Sequence, residues 1–336
     1  MKSSLMWQQL LTDLSLNEDK GDSSNLSVYP LTYQSLYCID GVESEKFLQG
    51  QLSCDMREVA EGHSRLAAHC TPKGSMLSLM RVMHYQDTFM LRINNANSAD
   101  AAQNLTKYMM FSKAELTDLS DQWFGFGIEG LNIDKVLCDF FGELPTATNQ
   151  VIQLEGKLLV KVPGDRYELW LKSAQAKDFL EIAVITKSLV SCQHWLKQEI
   201  TNNIPDIYPA SSNCYIPQMC NLQALQGVSF RKGCYTGQEI ITRLHFRGKL
   251  NKFLLCAKIN SENLIEEIKI GSYVHCEARE KIGSVLQFIT IDDVTYLQIV
   301  ISFKHANDTL YLDNNAFIEN IAQPYTLDPE LFTRKD

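Results

Sequence analysis

Short runs of alternating apolar and polar residues fill much of the chain, with helical spacing between them, so the pattern predicts a mixed α and β protein. Residues 36–39 read as a strand. Asp40, followed three residues later by Glu43, matches a capping box for the next helix, with Gly50 as its stop. Residues 64–93 read as a β-meander with strands at 64–70, 75–83 and about 88–93. Its first turn is Thr71-Pro72-Lys73-Gly74, where Pro presets φ and Gly tolerates a positive φ. Residues 98–110 return to helical spacing, and 114–171 are strand-like around a helix near 132–142. Helices are expected at 4–14, 173–182 and 190–200, with a linker at 21–25.

Residues 201–218 are rich in Asn, Pro and Ser and read as a long loop, a kind of segment that often carries function. Past Gly248 helical periodicity fades, apart from a weak trace near 261–268. Short β runs at 253–259, 273–276, 285–289 and 296–302 predict a small all-β domain, a barrel.

A length of 336 residues, 45% hydrophobic and 21% charged, is a globular balance with room for two or three domains. The net charge of −9 argues against wrapping nucleic acid, which relies on Lys and Arg. The first nine residues turn polar too soon for a signal peptide, and no apolar run approaches the ~18 residues of a membrane span. A cytoplasmic protein is expected. None of the ten cysteines forms C-x-x-C, so they are expected to be reduced thiols, mostly buried small apolar residues. Cys38, Cys256 and Cys276, in strand-like runs, suit that reading.

The candidate chemistry lies in Phe230-Arg231-Lys232-Gly233-Cys234-Tyr235-Thr236-Gly237-Gln238-Glu239. Two glycines bracket Cys234, which allows close backbone approach. Arg231 and Lys232 precede the thiol, and Arg243 and Arg247 follow it. Ile240, Ile241 and Leu244 give 238–246 an apolar helical face, so Cys234 falls just before a helix N-terminus. Cations and a positive helix end both favour thiolate and attract anions. A tight strand-to-helix turn with a buried cysteine has the same periodicity, and the pattern does not separate the two.

Lys232–Glu239 resembles the signature K-G-C-Y-x-G-Q-E of the YgfZ family. Further blocks in the family's order and spacing are Gln49-Gly50-Gln51, Ala67-Ala68-His69-Cys70-Thr71-Pro72-Lys73-Gly74, Phe111-Ser112-Lys113, 216–225 and Phe246-Arg247-Gly248. The resemblance spans about residues 30–250. It implies the α+β, three-domain fold of the glycine-cleavage aminomethyltransferase (T-protein), set around a central folate-sized opening, with a C-terminal antiparallel β-barrel. The expected parts are an N-terminal extension at 1–25, two intertwined folate-binding domains at 26–248, and the barrel at 249–336.

The resemblance implies a cytoplasmic monomer that binds tetrahydrofolate or a derivative. Such a protein supports iron–sulfur enzymes, including those of tRNA methylthiolation, and is linked to the level of ATP-bound DnaA. Its effect on tRNA would be indirect, and an accessory role is expected over turnover. The alternative is a folate-dependent aminomethyl transferase, but the transferase relatives lack the cysteine signature. Trp195 matches a family tryptophan that contacts folate, where a flat ring can stack on a pterin. The second such tryptophan falls at Gln34 here, with Tyr33 and Tyr37 close by as substitutes. Cys234, Lys232 and Arg247 match the functional motif. A polyglutamyl tail would suit Lys73, Arg231, Lys232, Arg243 or Arg247.

Other signals are weaker. Gly125-Phe126-Gly127-Ile128-Glu129-Gly130 fits G-x-G-x-x-G, but its glycines fall within a strand, not in the turn after one. Cys214, Cys220 and Cys234 fit no metal spacing, so no constitutive metal is expected. His69 and Cys70 are neighbours in a strand and should face opposite ways, which argues against a dyad. Asp55 and Asp87 read as turn carboxylates.

Overall fold

The computed structural model describes residues 7, 11, 26–131, 133–185, 188–260, 262, 267–312 and 316–333. The linker at 21–25 and most of the 4–14 helix lie outside the described residues. Trp7 and Leu11 are described, both helical, and the Trp7 indole meets Phe124 edge-on at 5.0 Å. Most of 261–268 also lies outside them. None of the described helices is long and apolar enough to cross a membrane.

The chain divides into two interleaved compact units, one made of 1–48, 56–65 and 80–195, the other of 49–55, 66–79 and 196–336. The first holds a five-stranded sheet of order β1-β7-β10-β9-β8, built from Ser27–Pro30 (β1), Trp123–Glu129 (β7), Arg166–Lys172 (β10), Lys157–Val162 (β9) and Val151–Leu154 (β8). Phe124, Phe126 and Ile128 point to one face of β7. They pack with Leu169 and Leu171 of β10 against the helices Ile133–Phe141 and Ser173–Ile185. Because strand side chains alternate, Trp123, Gly125 and Gly127 take the other face. Trp170 and Trp195 fill the space there: a β-carbon on Gly125 would stand 2.7 Å from the Trp170 ring. The G-x-G-x-x-G glycines are therefore in a strand, as expected, and make room for indoles.

A second five-stranded sheet has the order β3-β4-β5-β2-β6, from Arg65–Cys70 (β3), Met76–Tyr85 (β4), Thr88–Asn94 (β5), Gln34–Asp40 (β2) and Glu115–Asp118 (β6). Strands β3 and β4 are the expected meander hairpin. The capping-box expectation needs correction. Asp40 is still in β2, and the helix runs from Ser44 to Gln51, through Gly50. The Glu43 carboxylate instead accepts the backbone N–H of Lys113 at 2.8 Å.

In the second unit the expected barrel is present and closed, with order β11-β14-β13-β12-β15-β16. Its strands are Lys252–Asn260 (β11), Tyr273–Cys276 (β12), Arg279–Ile291 (β13), Val294–Ser302 (β14), Leu310–Leu312 (β15) and Phe317–Asn320 (β16). Phe253, Leu255, Ala257 and Ile259 alternate into the barrel core with Leu297, Ile299 and Ile301. The opposite face is buried too, with Leu254 and Val300 packing among Leu66, Ala68, Met76 and Leu222.

The loop at 201–218 has a structural task. Asn203, fully buried, donates to Leu254 O and Gln323 Oε1, and its own Oδ1 accepts from Gln298. Gln287 donates to Ile204 O. Buried polar groups need such partners, and here amide side chains fasten the loop to the barrel.

Candidate functional site

Three separate sequence blocks meet in the second unit around the segment Lys232–Glu239. Lys232 is buried, and its ammonium donates to the backbone oxygens of Leu52 at 2.7 Å and Cys54 at 2.6 Å. It also lies 5.0 Å from the Tyr235 ring centre. The backbone N–H of Thr236 donates to Gly50 O. Lys232 thus clasps the 50–54 segment, and charge-assisted bonds of this kind are among the stronger ones.

Gly237 sits at φ +87°, where glycine is at no disadvantage. A β-carbon there would stand 2.6 Å from Thr71 O and 3.0 Å from the Gly74 α-carbon. Gly74 in turn is at φ +80°, and a β-carbon there would stand 3.2 Å from the Ile240 β-carbon. The Pro72–Gly74 turn and the signature therefore interlock through two glycines. Gly237 is also the residue before the helix Gln238–Arg247, so the expected helix start is present. Gln218, from the 216–225 block, donates to Ile241 O of that helix at 2.7 Å.

On this base Tyr235 points inward and Cys234 outward. Tyr235 is buried, its hydroxyl has no hydrogen-bond partner, and burial pushes its pKa well above the ordinary phenol value. Cys234 is exposed, and a β-carbon on Gly233 would meet nothing within 4 Å. A buried lysine, a buried tyrosine and two interlocked glycines hold one accessible thiol.

The remaining motif cations divide. Lys73, Arg231, Arg243 and Arg247 are exposed, while Lys232 is taken up by the clasp. Arg247 is in the last turn of a ten-residue helix, so about 15 Å of helix separates it from the Cys234 end. The Phe111-Ser112-Lys113 block lies in the first unit, where Lys113 O would stand 2.4 Å from a β-carbon on Gly41.

Trp195 and Gln34 both lie in the first unit. Trp195 is fully buried. Gly127 backs its ring, the Arg166 guanidinium lies 4.3 Å from the ring centre, and Tyr29 packs at 5.8 Å. Its indole Nε1 has no hydrogen-bond partner, and neither has the Oε1 of buried Gln34. A buried donor and a buried acceptor left open in this way fit a polar heteroaromatic ligand.

Sequence reasoning missed a buried charged group in the same unit. Glu168 Oε2 lies 3.5 Å from both Arg81 Nε and Arg92 Nη1, and Glu168 Oε1 accepts the Trp170 indole N–H at 2.7 Å. The available signal was a charge inside an apolar run: Arg81 in Leu79–Met83, Arg92 in Phe89–Ile93, and Glu168 in Tyr167–Leu171. His69 and Cys70 are both buried in β3. Burial alone holds His69 down to about 4 and pushes Cys70 up to about 12. Of the cysteines weighed for a metal, Cys220 is fully buried, while Cys214 and Cys234 are exposed.

No family model matches the chain. It is 32% identical over 290 residues to the tRNA-modifying protein YgfZ of Escherichia coli O127:H6 (strain E2348/69 / EPEC), covering 84% of this chain and 86% of the relative. It is 31% identical over 315 residues to the tRNA-modifying protein YgfZ of Shigella sonnei (strain Ss046), covering 90% and 94%. Among solved structures it is similar to the glycine cleavage system aminomethyltransferase T of Bartonella henselae, with a TM-score of 0.69 and 12% identity over 99% of both chains. The fold is thus that of aminomethyltransferase T, ending in a closed barrel.

Proposed function

The chain belongs to the YgfZ family, and from that premise we propose that it is a folate-binding accessory protein that supports tRNA modification through the thiol of Cys234. The observation that carries this reading is the contrast around the signature. Lys232 and Tyr235 are buried and Gly237 is interlocked with the Pro72–Gly74 turn, yet Cys234 between them is exposed. A fold that spends a buried ammonium on fixing this segment supports a fixed, presented sulfur.

The finer reading is methylthiolation of tRNA, reached through iron–sulfur enzymes or the proteins that assemble them. The net charge of −9 favours a protein partner over direct tRNA binding. Trp195 and Gln34 suit folate because each offers an unpartnered buried polar atom, one donor and one acceptor. Folate, when bound, supplies the capacity to carry a one-carbon unit. Arg166, stacked on the Trp195 ring, would fix the orientation of that indole. The likeness to aminomethyltransferase T concerns the fold, and the cysteine signature favours the accessory role over transfer.

The test is a deletion strain scored by mass spectrometry for 2-methylthio nucleosides in tRNA. Wild type should restore them. Cys234→Ala should fold, bind folate and fail to restore them, and full restoration by this variant would defeat the proposal. Folate titration read by Trp fluorescence, compared between wild type and Trp195→Phe, tests the cofactor reading separately.

A further inference from the structure

Far along the chain from the signature, three metal-ligating atoms of the second unit converge. Among the described residues, Cys276 Sγ, His305 Nδ1 and Asp308 Oδ2 form the one group of this kind, all within 4.8 Å of one another. Cys276 ends strand β12, beside a register shift in its pairing with β13. His305 closes the 3-10 turn Phe303–His305, and Asp308 follows on a turn whose N–H donates to His305 O. Cys276 Sγ lies 3.7 Å from His305 Nδ1, and Asp308 Oδ2 lies 2.7 Å from the same nitrogen.

That shared nitrogen decides between two chemistries. A Cys–His–Asp relay needs the thiol on one ring nitrogen and the carboxylate on the other. Here both meet Nδ1, so the three atoms surround a point and do not form a chain. Tetrahedral zinc, with Zn–S near 2.3 Å and Zn–N near 2.0–2.1 Å, sets sulfur and nitrogen roughly 3.6 Å apart. The observed 3.7 Å is close to that edge, while the Nδ1–Oδ2 hydrogen bond of 2.7 Å would have to open to roughly 3.4 Å to admit the ion. The adjacent His275 is held elsewhere, with its Nε2 on Leu312 O at 2.8 Å. A cleft of about 320 Å³ lined by Cys276, Glu277, Ala278, Asn307, Asp308 and Thr309 opens onto the group, giving a path of entry and room for a water.

We propose that Cys276, His305 and Asp308 bind a divalent transition-metal ion, zinc by the chemistry of the ligands, with water in the fourth position. Binding is an exchange without redox change. The Cys276 thiol proton and the proton shared between Nδ1 and Oδ2 pass to solvent. The sulfur, nitrogen and oxygen lone pairs then go to the metal.

The test uses the full chain, reduced and stripped of metal, titrated with Co(II) and then with Zn(II). One equivalent of Co(II) should give a thiolate-to-cobalt band in the near ultraviolet with tetrahedral d–d bands, and Zn(II) should bleach both. Cys276→Ser should lose the thiolate band, while Cys234→Ser keeps it. Should Cys276→Ser fold poorly, the turn variants Asp308→Asn and His305→Gln, both on exposed or half-buried side chains, should weaken binding at least about tenfold. Absence of a one-equivalent complex, a band that survives in Cys276→Ser, or a band lost in Cys234→Ser would overturn the site.

Discussion

Gly127 and Trp195 are fitted to one another: a β-carbon built on Gly127 would stand 2.3 Å from the indole Cδ2 and Cε3. The Gly127 backbone is not in the left-handed region, so alanine is permitted by φ and opposed only by the ring. Gly127→Ala should therefore lower stability by about 1–3 kcal/mol through overpacking and shift Trp emission. Gly233→Ala, facing open space, should stay within about 0.5 kcal/mol of wild type. Urea unfolding separates them, and equal midpoints would mean that the indole yields without cost.

Lys232 is expected to matter for folding before it matters for chemistry. Lys232→Met removes the ammonium that donates to the backbone oxygens of Leu52 and Cys54, at about 1.5–3 kcal/mol for each bond to a charged donor. A loss of roughly 3 kcal/mol in denaturant unfolding is expected, and arginine should not rescue it, because a planar fork does not replace a compact ammonium. Cys234→Ser, exposed, should unfold like wild type. If Lys232→Met were as stable as wild type, the clasp would have no energetic role.

Strands, helices and the barrel were legible because periodicity is local. The failures were at long range. Glu43 matched a capping box by spacing, but its partner is Lys113, 70 residues away. The cation before Cys234 suggested a ligand for anions, and no local pattern could reveal that Lys232 turns toward the oxygens of Leu52 and Cys54. The strand position of Gly125 and Gly127 could be read, but the indoles that require glycine there come from β10 and from residue 195. Cys276 read as a buried strand residue and is one, yet its neighbour His305 lies 29 residues on, in a turn with no motif. Cys234 was the site feature most plainly written in sequence, because its block is contiguous.

Thiol labelling should follow burial. Cys138, Cys214 and Cys234 are exposed, whereas Cys38, Cys54, Cys70, Cys220, Cys256 and Cys276 are buried. Burial pushes Cys70 and Cys256 up to about 12, far from the thiolate form that reacts. Iodoacetamide at pH 7.5, followed by peptide mass mapping, should modify the first three in the native protein, and Cys38, Cys54, Cys70, Cys220 and Cys256 only after unfolding. Protection of Cys234 under native conditions would remove the accessible sulfur on which the proposed function stands.

His69 should make stability depend on acid. It is fully buried, and burial holds its pKa at about 4 against an ordinary value near 6.5. The unfolded chain takes up a proton below pH 6.5 that the folded chain refuses until about pH 4. Stability therefore falls as pH drops through that window and levels off below it. Two and a half pKa units correspond to about 3 kcal/mol. Urea midpoints between pH 7 and pH 4, converted to free energies for wild type and His69→Gln, isolate this contribution, since the other titrating groups are common to both. The variant should lose less stability across the window by about that amount, and parallel curves would show that His69 is protonated in the folded protein as readily as in the unfolded chain.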